Sequence, residues 1–293
     1  MNGWLIVNGF LSSAKFDDIY ALLTAAFAAH GVQLTRFPNT AFTTPLGDYP
    51  RPCTVPDDVQ PDFVVFWDKD IALARRLETV GLPVFNSADA VATCDDKAKT
   101  ALALANAGLR TPKTILGPKT FEGVGYTTAA FLEEAVKTLG LPFVMKESYG
   151  SFGQQVHLVH TMAEAESVLR TFGHKECILQ EFIASSRGRD LRLNVVGDRV
   201  MATLLRTSAT DFRSNVTLGG KAVAHTPSDA QAQAALNAAR AVGATFAGVD
   251  ILFGPDDEPL VCEVNSNPHF RSTLNATGVN LAEAIADRVL QNL

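Results

Sequence analysis

The chain has too few cysteines, too widely scattered, to build a zinc site or a disulfide framework. Cys53, Cys94, Cys177 and Cys262 show no CxxC or His–Cys spacing among 293 residues, which fits reduced thiols in a cytoplasm. Long apolar runs are missing as well. A membrane helix needs about 20 apolar residues in succession, whereas the longest run near the start is Trp4 to Val7, with no basic stretch before it. The sequence therefore reads as having neither anchor nor signal peptide. Positive charge is not in excess: 25 Lys and Arg stand against 31 Asp and Glu, a net charge of −6, so bulk charge draws the chain to neither nucleic acid nor an anionic membrane. Also absent are the Gly-Lys-Ser/Thr of a Walker loop, a dinucleotide glycine fingerprint, and metal spacing among the six histidines.

What is present is ample apolar content, 47% of residues, enough for a large core divided over two or three domains. Residues 1–86 alternate short apolar runs with helical patterns: WLIVN, a helix over about 16–30, VQLTRF, DFVVFW, a helix over 70–80, and PVFN. That rhythm implies a parallel sheet covered by helices. A loop from Pro38 to Pro61 carries six prolines. Asp89, Asp95 and Asp96 offer helix N-caps, and a helix from Lys97 to Ala107 stops at Gly108. Helices are also expected over 128–139, from the Thr161/Glu164 capping pattern to Phe172, over 228–243 and over 280–291, with strands at 142–148, 156–160 and 177–183 and a hairpin of 190–196 with 199–206.

The strongest chemical signal is a second hairpin, GVDILFG (248–254) and PLVCEVNSN (259–267), joined by Pro255 to Glu258. Side chains alternate along a strand, so Glu263 and Asn265 share a face and an antiparallel neighbour brings Asp250 opposite them. Carboxylates inside apolar strands are costly unless paired or bound to metal. Two carboxylates and an amide oxygen suit Mg2+, with Mn2+ as a second acceptable ion. Six of the fifteen arginines, Arg187, Arg189, Arg192, Arg199, Arg206 and Arg213, fall in one stretch without lysine, which suits a cleft for phosphate or carboxylate. YGSFGQQ joins two strands just after Lys146, an arrangement able to lay backbone N–H groups over phosphates beside a fixed positive charge. QEFI at the end of the 177–183 strand, followed by Asp190, could hold an adenine edge and ribose hydroxyls. His269, beside Arg271, is the one histidine with a placement near this chemistry.

Taken in order, these segments resemble the ATP-grasp superfamily, and within it the RimK-like carboxylate–amine ligases of the alpha-L-glutamate type. The resemblance covers about 97–291 and is carried by CDDKAKT, PFVMKES, GSFGQ, QEFI, GRDLRLNVVGD, DFRSNVTLGGKA, GVDIL and EVNSNPHF. It implies an α/β chain with the α+β ATP-grasp fold: a parallel-sheet pre-ATP-grasp domain over 1–88, then two α+β subdomains, 89–184 and 185–293, clasping ATP. It further implies that Lys97, Lys146, Ser151, Gly153 and Gln154 meet the phosphates, Gln180, Glu181, Phe182 and Ile183 hold adenine, and Asp190 meets the ribose. Asp250, Glu263 and Asn265 would carry Mg2+, Arg206 and Lys146 would act on the transferred phosphoryl group, and Arg213, Asn215, Asn267 and Arg271 would face the substrate. One departure is plain: many relatives have a small-Pro-Gly run after the metal asparagine, where this chain has Ser266 to Arg271.

The activity so implied is ATP-dependent formation of an amide through an acylphosphate, adding an amino acid such as glutamate to a small-molecule or peptide carboxylate. A phosphotransferase releasing an acylphosphate, and a nucleotide-binding regulator without turnover, are the alternatives. Expected partners are these substrates, with no nucleic acid and no membrane, in a cytoplasmic protein that can form a homo-oligomer.

Overall fold

Strand β1 (Asn2–Val7), helix α1 (Ala14–Ala29), β2 (Gln33–Pro38), β3 (Phe63–Trp67), α2 (Ile71–Thr79) and β4 (Val84–Phe85) fold as the opening rhythm predicts, into an all-parallel sheet of order β2-β1-β3-β4. The computed structural model describes residues 1–11, 13–44, 46, 60–150, 153–214 and 219–293. Most of the proline-rich stretch, Ser151 and Asn215 lie outside the described residues. Alternation divides the buried strands between two cores. Leu5, Val7, Phe63, Val65 and Trp67 pack with α1 and the last helix, whereas Trp4, Ile6, Val64 and Phe66 pack with α2. That last helix, α9 (Leu281–Gln291), buries Ile285 and Val289 in the first of these cores, so the C-terminus of the chain closes over its N-terminal sheet.

Helices α3 (Ala88–Asp95) and α4 (Lys97–Asn106) follow. Ser87 caps α3, while Asp96 caps α4 by accepting from the backbone of Ala98 and Lys99; Asp89 and Asp95 lie inside α3 and cap neither helix. Strands β5 (Thr114–Leu116), β6 (Phe143–Glu147), β7 (Val156–Val159) and β8 (Cys177–Glu181) form an antiparallel sheet of order β5-β8-β6-β7, with α5 (Ala130–Leu139) and α6 (Met162–Phe172) on one face. Phe143, Met145, Cys177 and Leu179 point into that core. Their neighbours Lys146, Ile178 and Gln180 are thereby turned to the open face. The strand expected over 177–183 ends at Glu181, because 184–186 wind into a 3-10 turn in which the Ser186 hydroxyl donates to Arg189 O and accepts from Phe253 N.

The third sheet is antiparallel, of order β11-β10-β9-β12-β13, built from β9 (Arg189–Val196), β10 (Arg199–Thr207), β11 (Lys221–Ala224), β12 (Phe246–Phe253) and β13 (Pro259–Asn265). Helix α7 (Asp229–Ala241), opened by a reciprocal capping box of Ser228 and Gln231, covers one face against Leu191, Leu193, Val249, Ile251, Val261 and Val264. Pattern alone gives no helix between 243 and 280, yet the structure has one, α8 (Arg271–Thr277). Its N-terminal residue has no side-chain cap; fully buried Phe270 and a 3.1 Å hydrogen bond from Asn194 Nδ2 to Thr273 Oγ1 hold it by tertiary contact. Asn86, wholly buried, stitches the first sheet to the third. Its amide donates to Phe246 O (2.9 Å) and Ser266 O (2.7 Å) and accepts from Thr245 N (2.7 Å) and Phe246 N (3.2 Å). Among the described residues no helix is long and apolar enough to cross a membrane.

Candidate active site

The face of the third sheet turned away from α7 carries a row of charge set by strand register. Asp250 on β12 pairs in register with Glu263 on β13 and with Arg192 on β9, while Arg206 on β10 pairs with Asp190 on β9. Asp190 and Arg192 are two residues apart and so share a face. The β12–β13 ladder shifts after Asp250, where Ile251 meets Val261 and Cys262 is left over as a bulge. Such a bulge re-aims side chains locally; here consecutive Cys262 and Glu263 both line the cleft. The hairpin expected from the sequence is present, and Gly248 opposite Asn265 and Asp250 opposite Glu263 put all three oxygen-bearing side chains on the cleft wall.

Asp250 is not idle there. Arg192 grips it through both carboxylate oxygens, Nη2 to Oδ2 at 2.8 Å and Nε to Oδ1, and Arg206 Nη2 stands 3.0 Å from Oδ1. Arg206 in turn holds both oxygens of Asp190, at 2.7 and 2.6 Å. Burial works against charge on Asp250, but the two guanidinium groups outweigh it and keep its carboxyl below the usual range. Burial likewise opposes the charge of Arg206, and Asp250 and Asp190 raise its pKa well above the ordinary value. Gly248 makes room for this pair: a Cβ there would come within 3.0 Å of Arg192 Nη1 and 2.9 Å of Pro268.

Across the cleft, the open face of the second sheet presents Lys146, whose Nζ donates to Gln180 Oε1 at 2.6 Å and lies 3.7 Å from Cys262 Sγ. Gln180 Nε2 donates to Thr114 Oγ1 at 3.0 Å, which fixes the orientation of its amide. Lys97, in the first turn of α4, donates to Gly150 O at 2.9 Å. Burial lowers its pKa, opposed by the charge of Glu263. Burial also pushes up the Cys262 thiol, against the pull of Lys146. Glu263 itself makes no hydrogen bond or ion pair among the described residues. Asn265 donates only its Nδ2, to Gly248 O at 3.2 Å, leaving Oδ1 open to the cleft. Half-buried Glu263 and the Asn265 amide oxygen are hard donors with no hydrogen-bonded protein cation among the described residues, a set that fits a small divalent ion, with Asp250 alongside. Among the described residues, no three His, Cys, Asp or Glu side chains form a metal cluster by themselves.

The remaining expected positions divide. Gly153, Glu181, Phe182 and Ile183 line the same cleft of about 850 Å3, but Gln154 does not; its neighbour Gln155 does. Arg213 reaches the wall with its guanidinium engaged by Asp211, Gly153 O and Val156 O, tying the 208–214 loop to the turn between β6 and β7. Arg271 forms a two-bonded ion pair with Asp18 on α1, and Asn267 Nδ2 donates to Asp68 O at 3.1 Å. His269 Nε2 lies 3.0 Å from Lys15 O, so that nitrogen carries the proton, and burial lowers the pKa of the ring. Sequence reasoning gave no role to Asp68 or Cys262, and it counted Arg192 only among the arginines suited to an anion cleft, not as the partner of Asp250. For Arg192 the signal was its place two residues after Asp190 on the strand that faces β12.

The three sheets and this cleft are those of an ATP-grasp fold. Solved structures bear this out: D-cycloserine synthetase DcsG matches with a TM-score of 0.76 at 17% identity over 100% of this chain and 99% of that one. The RimK domain ATP-grasp protein of Sphaerobacter thermophilus matches at 0.73 and 21% over 98% and 99%. Residues 94–289 match the model of the RimK-like ATP-grasp domain. A probable alpha-L-glutamate ligase of Xanthomonas oryzae is 34% identical over 226 residues, 76% of this chain and 73% of the relative. An uncharacterized protein of Mycoplasma pneumoniae is 32% identical over 222 residues, 75% and 77% of the two chains. The chain belongs to the RimK-like ATP-grasp family.

Proposed function

We propose that this chain is an ATP-dependent carboxylate–amine ligase, forming ADP, phosphate and an amide between a small-molecule or peptide carboxylate and an amino acid such as glutamate. The observation that carries the reading is the convergence on one cleft of three basic side chains, Lys97, Lys146 and Arg206, with the hard oxygen donors Glu263 and Asn265. A basic rim alone would suit any anion; joined to divalent-ion donors it suits a nucleoside triphosphate with its metal. Two of the similar proteins agree in kind, one named a probable alpha-L-glutamate ligase and one, PsnB, an ATP-grasp ligase whose structure holds a precursor, Mg and ADP.

In this reading Lys97 and Lys146 meet the phosphates, Gln180 to Ile183 take the adenine, and Glu263, Asn265 and Asp250 hold Mg2+, which shields phosphate charge. A carboxylate is a poor electrophile. Its oxygen attacks the γ-phosphorus, the bond to ADP breaks, and an acylphosphate results. The amine nitrogen then attacks the acyl carbon, phosphate departs with the bonding pair, and the nitrogen releases a proton. Arg206, pinned between Asp190 and Asp250, offers a guanidinium that needs no reorganisation as charge develops on the phosphoryl oxygens. Asn267 and Arg271 face the acceptor side. A screen of ADP release over the twenty amino acids and a panel of carboxylates tests the proposal. ADP should appear only when both partners and Mg2+ are supplied; ADP with a carboxylate alone would mark a phosphotransferase, and none with any pair would refute the reading.

A further inference from the structure

Where the ends of the first and third sheets meet in the cleft wall, two acceptors are left unanswered. Among the described residues, five buried side-chain atoms have no hydrogen-bond partner, and of these only Asp68 Oδ2 and Asn267 Oδ1 belong to residues that line the cleft. They are neighbours, joined by the 3.1 Å bond from Asn267 Nδ2 to Asp68 O. That bond fixes the amide: turned over, it would set oxygen against oxygen, so Oδ1 is the buried atom left without a donor. Asp68, just past the end of β3 and 5% exposed, is equally fixed, since its other oxygen accepts from Asn8 Nδ2 (3.0 Å) and Lys69 N (2.7 Å). Lys69, next in the chain, carries its charge to Asp95. Burial and then the charge of Asp68 push the phenol of Tyr20, on the same wall, up to about 12.

A buried acceptor left without a donor costs about 1–3 kcal/mol, and more when it is charged. Two such atoms, on residues that touch each other in the cleft wall, call for a ligand group rich in donors and of positive charge. A phosphate or carboxylate would be repelled, and a hydroxyl has a single proton for two acceptors. We propose that Asp68 Oδ2 and Asn267 Oδ1 bind the ammonium group of the amine substrate. Asn267 follows the metal strand by two residues, so this pocket adjoins the place where the proposed reaction generates its acyl group. Trp67, Tyr20 and Phe16, also on this wall, give the carbon skeleton beside the ammonium an apolar surface. The inference uses the ligase reading only in calling the bound cation a substrate.

Calorimetric titration of the intact protein, loaded with ADP and Mg2+, with each of the twenty amino acids and with its N-acetyl derivative tests this without turnover. At least one amino acid should bind about ten- to a hundredfold more tightly than its acetylated form, the scale of a charged hydrogen bond. Asp68→Asn, which replaces the anion by a group with a donor, should abolish that preference, and Asn267→Ala should reduce it. ADP affinity in the same titrations reports that each variant is folded. Equal binding of free and acetylated amino acids, an unchanged preference in both variants, or no binding by any of the twenty would overturn the proposal. Failure of ADP release with every substrate pair would instead overturn the ligase reading and leave the ammonium result standing.

Discussion

Replacing Asp250 by alanine removes the anion that holds Arg192. Asp250 is buried and Arg192 largely so, with side chains 9% and 15% exposed, and Asp250 is the only hydrogen-bond partner of Arg192 among the described residues. Arg206 loses its 3.0 Å contact with Asp250 but keeps both bonds to Asp190. The damage is therefore one stranded guanidinium, and breaking a buried pair from one side costs about 3–5 kcal/mol. In a chain of this size that lowers Tm by roughly 10 °C. Removing the stranded charge as well, in Asp250→Ala/Arg192→Met, should recover part of the loss, with a coupling of about 2 kcal/mol. The sign with pH follows from the lowered pKa of Asp250. Its contribution is fully present above the ordinary carboxyl range and disappears as pH falls through the lower folded value, so the deficit of the variant should be constant from about pH 5 to 8 and shrink below about pH 4. Thermal unfolding by circular dichroism, without nucleotide, measures all three quantities. A loss under about 1 kcal/mol, or a double variant whose deficit equals the sum of the singles, would show that the charge row is not a coupled network.

Glu263→Gln should leave the fold intact and remove about 2–3 kcal/mol of transition-state stabilisation, read as kcat/KM for ADP release at saturating Mg2+; wild-type turnover would remove Glu263 from the metal set. Gly248→Ala drives a methyl group against Arg192 and Pro268, so a stability loss of about 1–3 kcal/mol is expected together with reduced ADP release, whereas a silent substitution would mean that Arg192 has room to move. Asn86→Ala strands four backbone groups, three of them in buried bonds, between the first and third sheets. Denaturant unfolding should show a loss of about 3 kcal/mol or more, at roughly 1 kcal/mol per bond, and a loss well below that would mean the sheets are joined by packing alone.

The features legible in the sequence were those with a short period. Helices α1, α2, α4 and α7 lie within a few residues of their expected spans, and the β12–β13 hairpin is visible because alternation and a tight turn are local properties. Short elements escaped: β5 has three residues, β11 has four, and α8 lacks a side-chain cap, so none has a pattern independent of its neighbours. In the site, the oxygen donors of β13 could be read from spacing. What holds Asp250 could not, because Arg192 is 58 residues away in the chain and meets it only through the β9–β12 register. The Asp68–Asn267 contact spans 199 residues and two sheets, beyond the reach of any motif. The bulge at Cys262 is a property of the ladder, invisible until the strands are paired.

Oxygen transfer from the carboxylate to phosphate is the measurement closest to the central claim. A carboxylate that supports amine-dependent ADP release, labelled with 18O at both oxygens, is turned over with ATP, Mg2+ and the amine, and all products are weighed by mass spectrometry. The ligase reading predicts one labelled oxygen in the released phosphate, the other retained in an amide lighter by one water than the sum of its two precursors, and one ADP for each amide. Unlabelled phosphate, or ADP formed without amide, would contradict it.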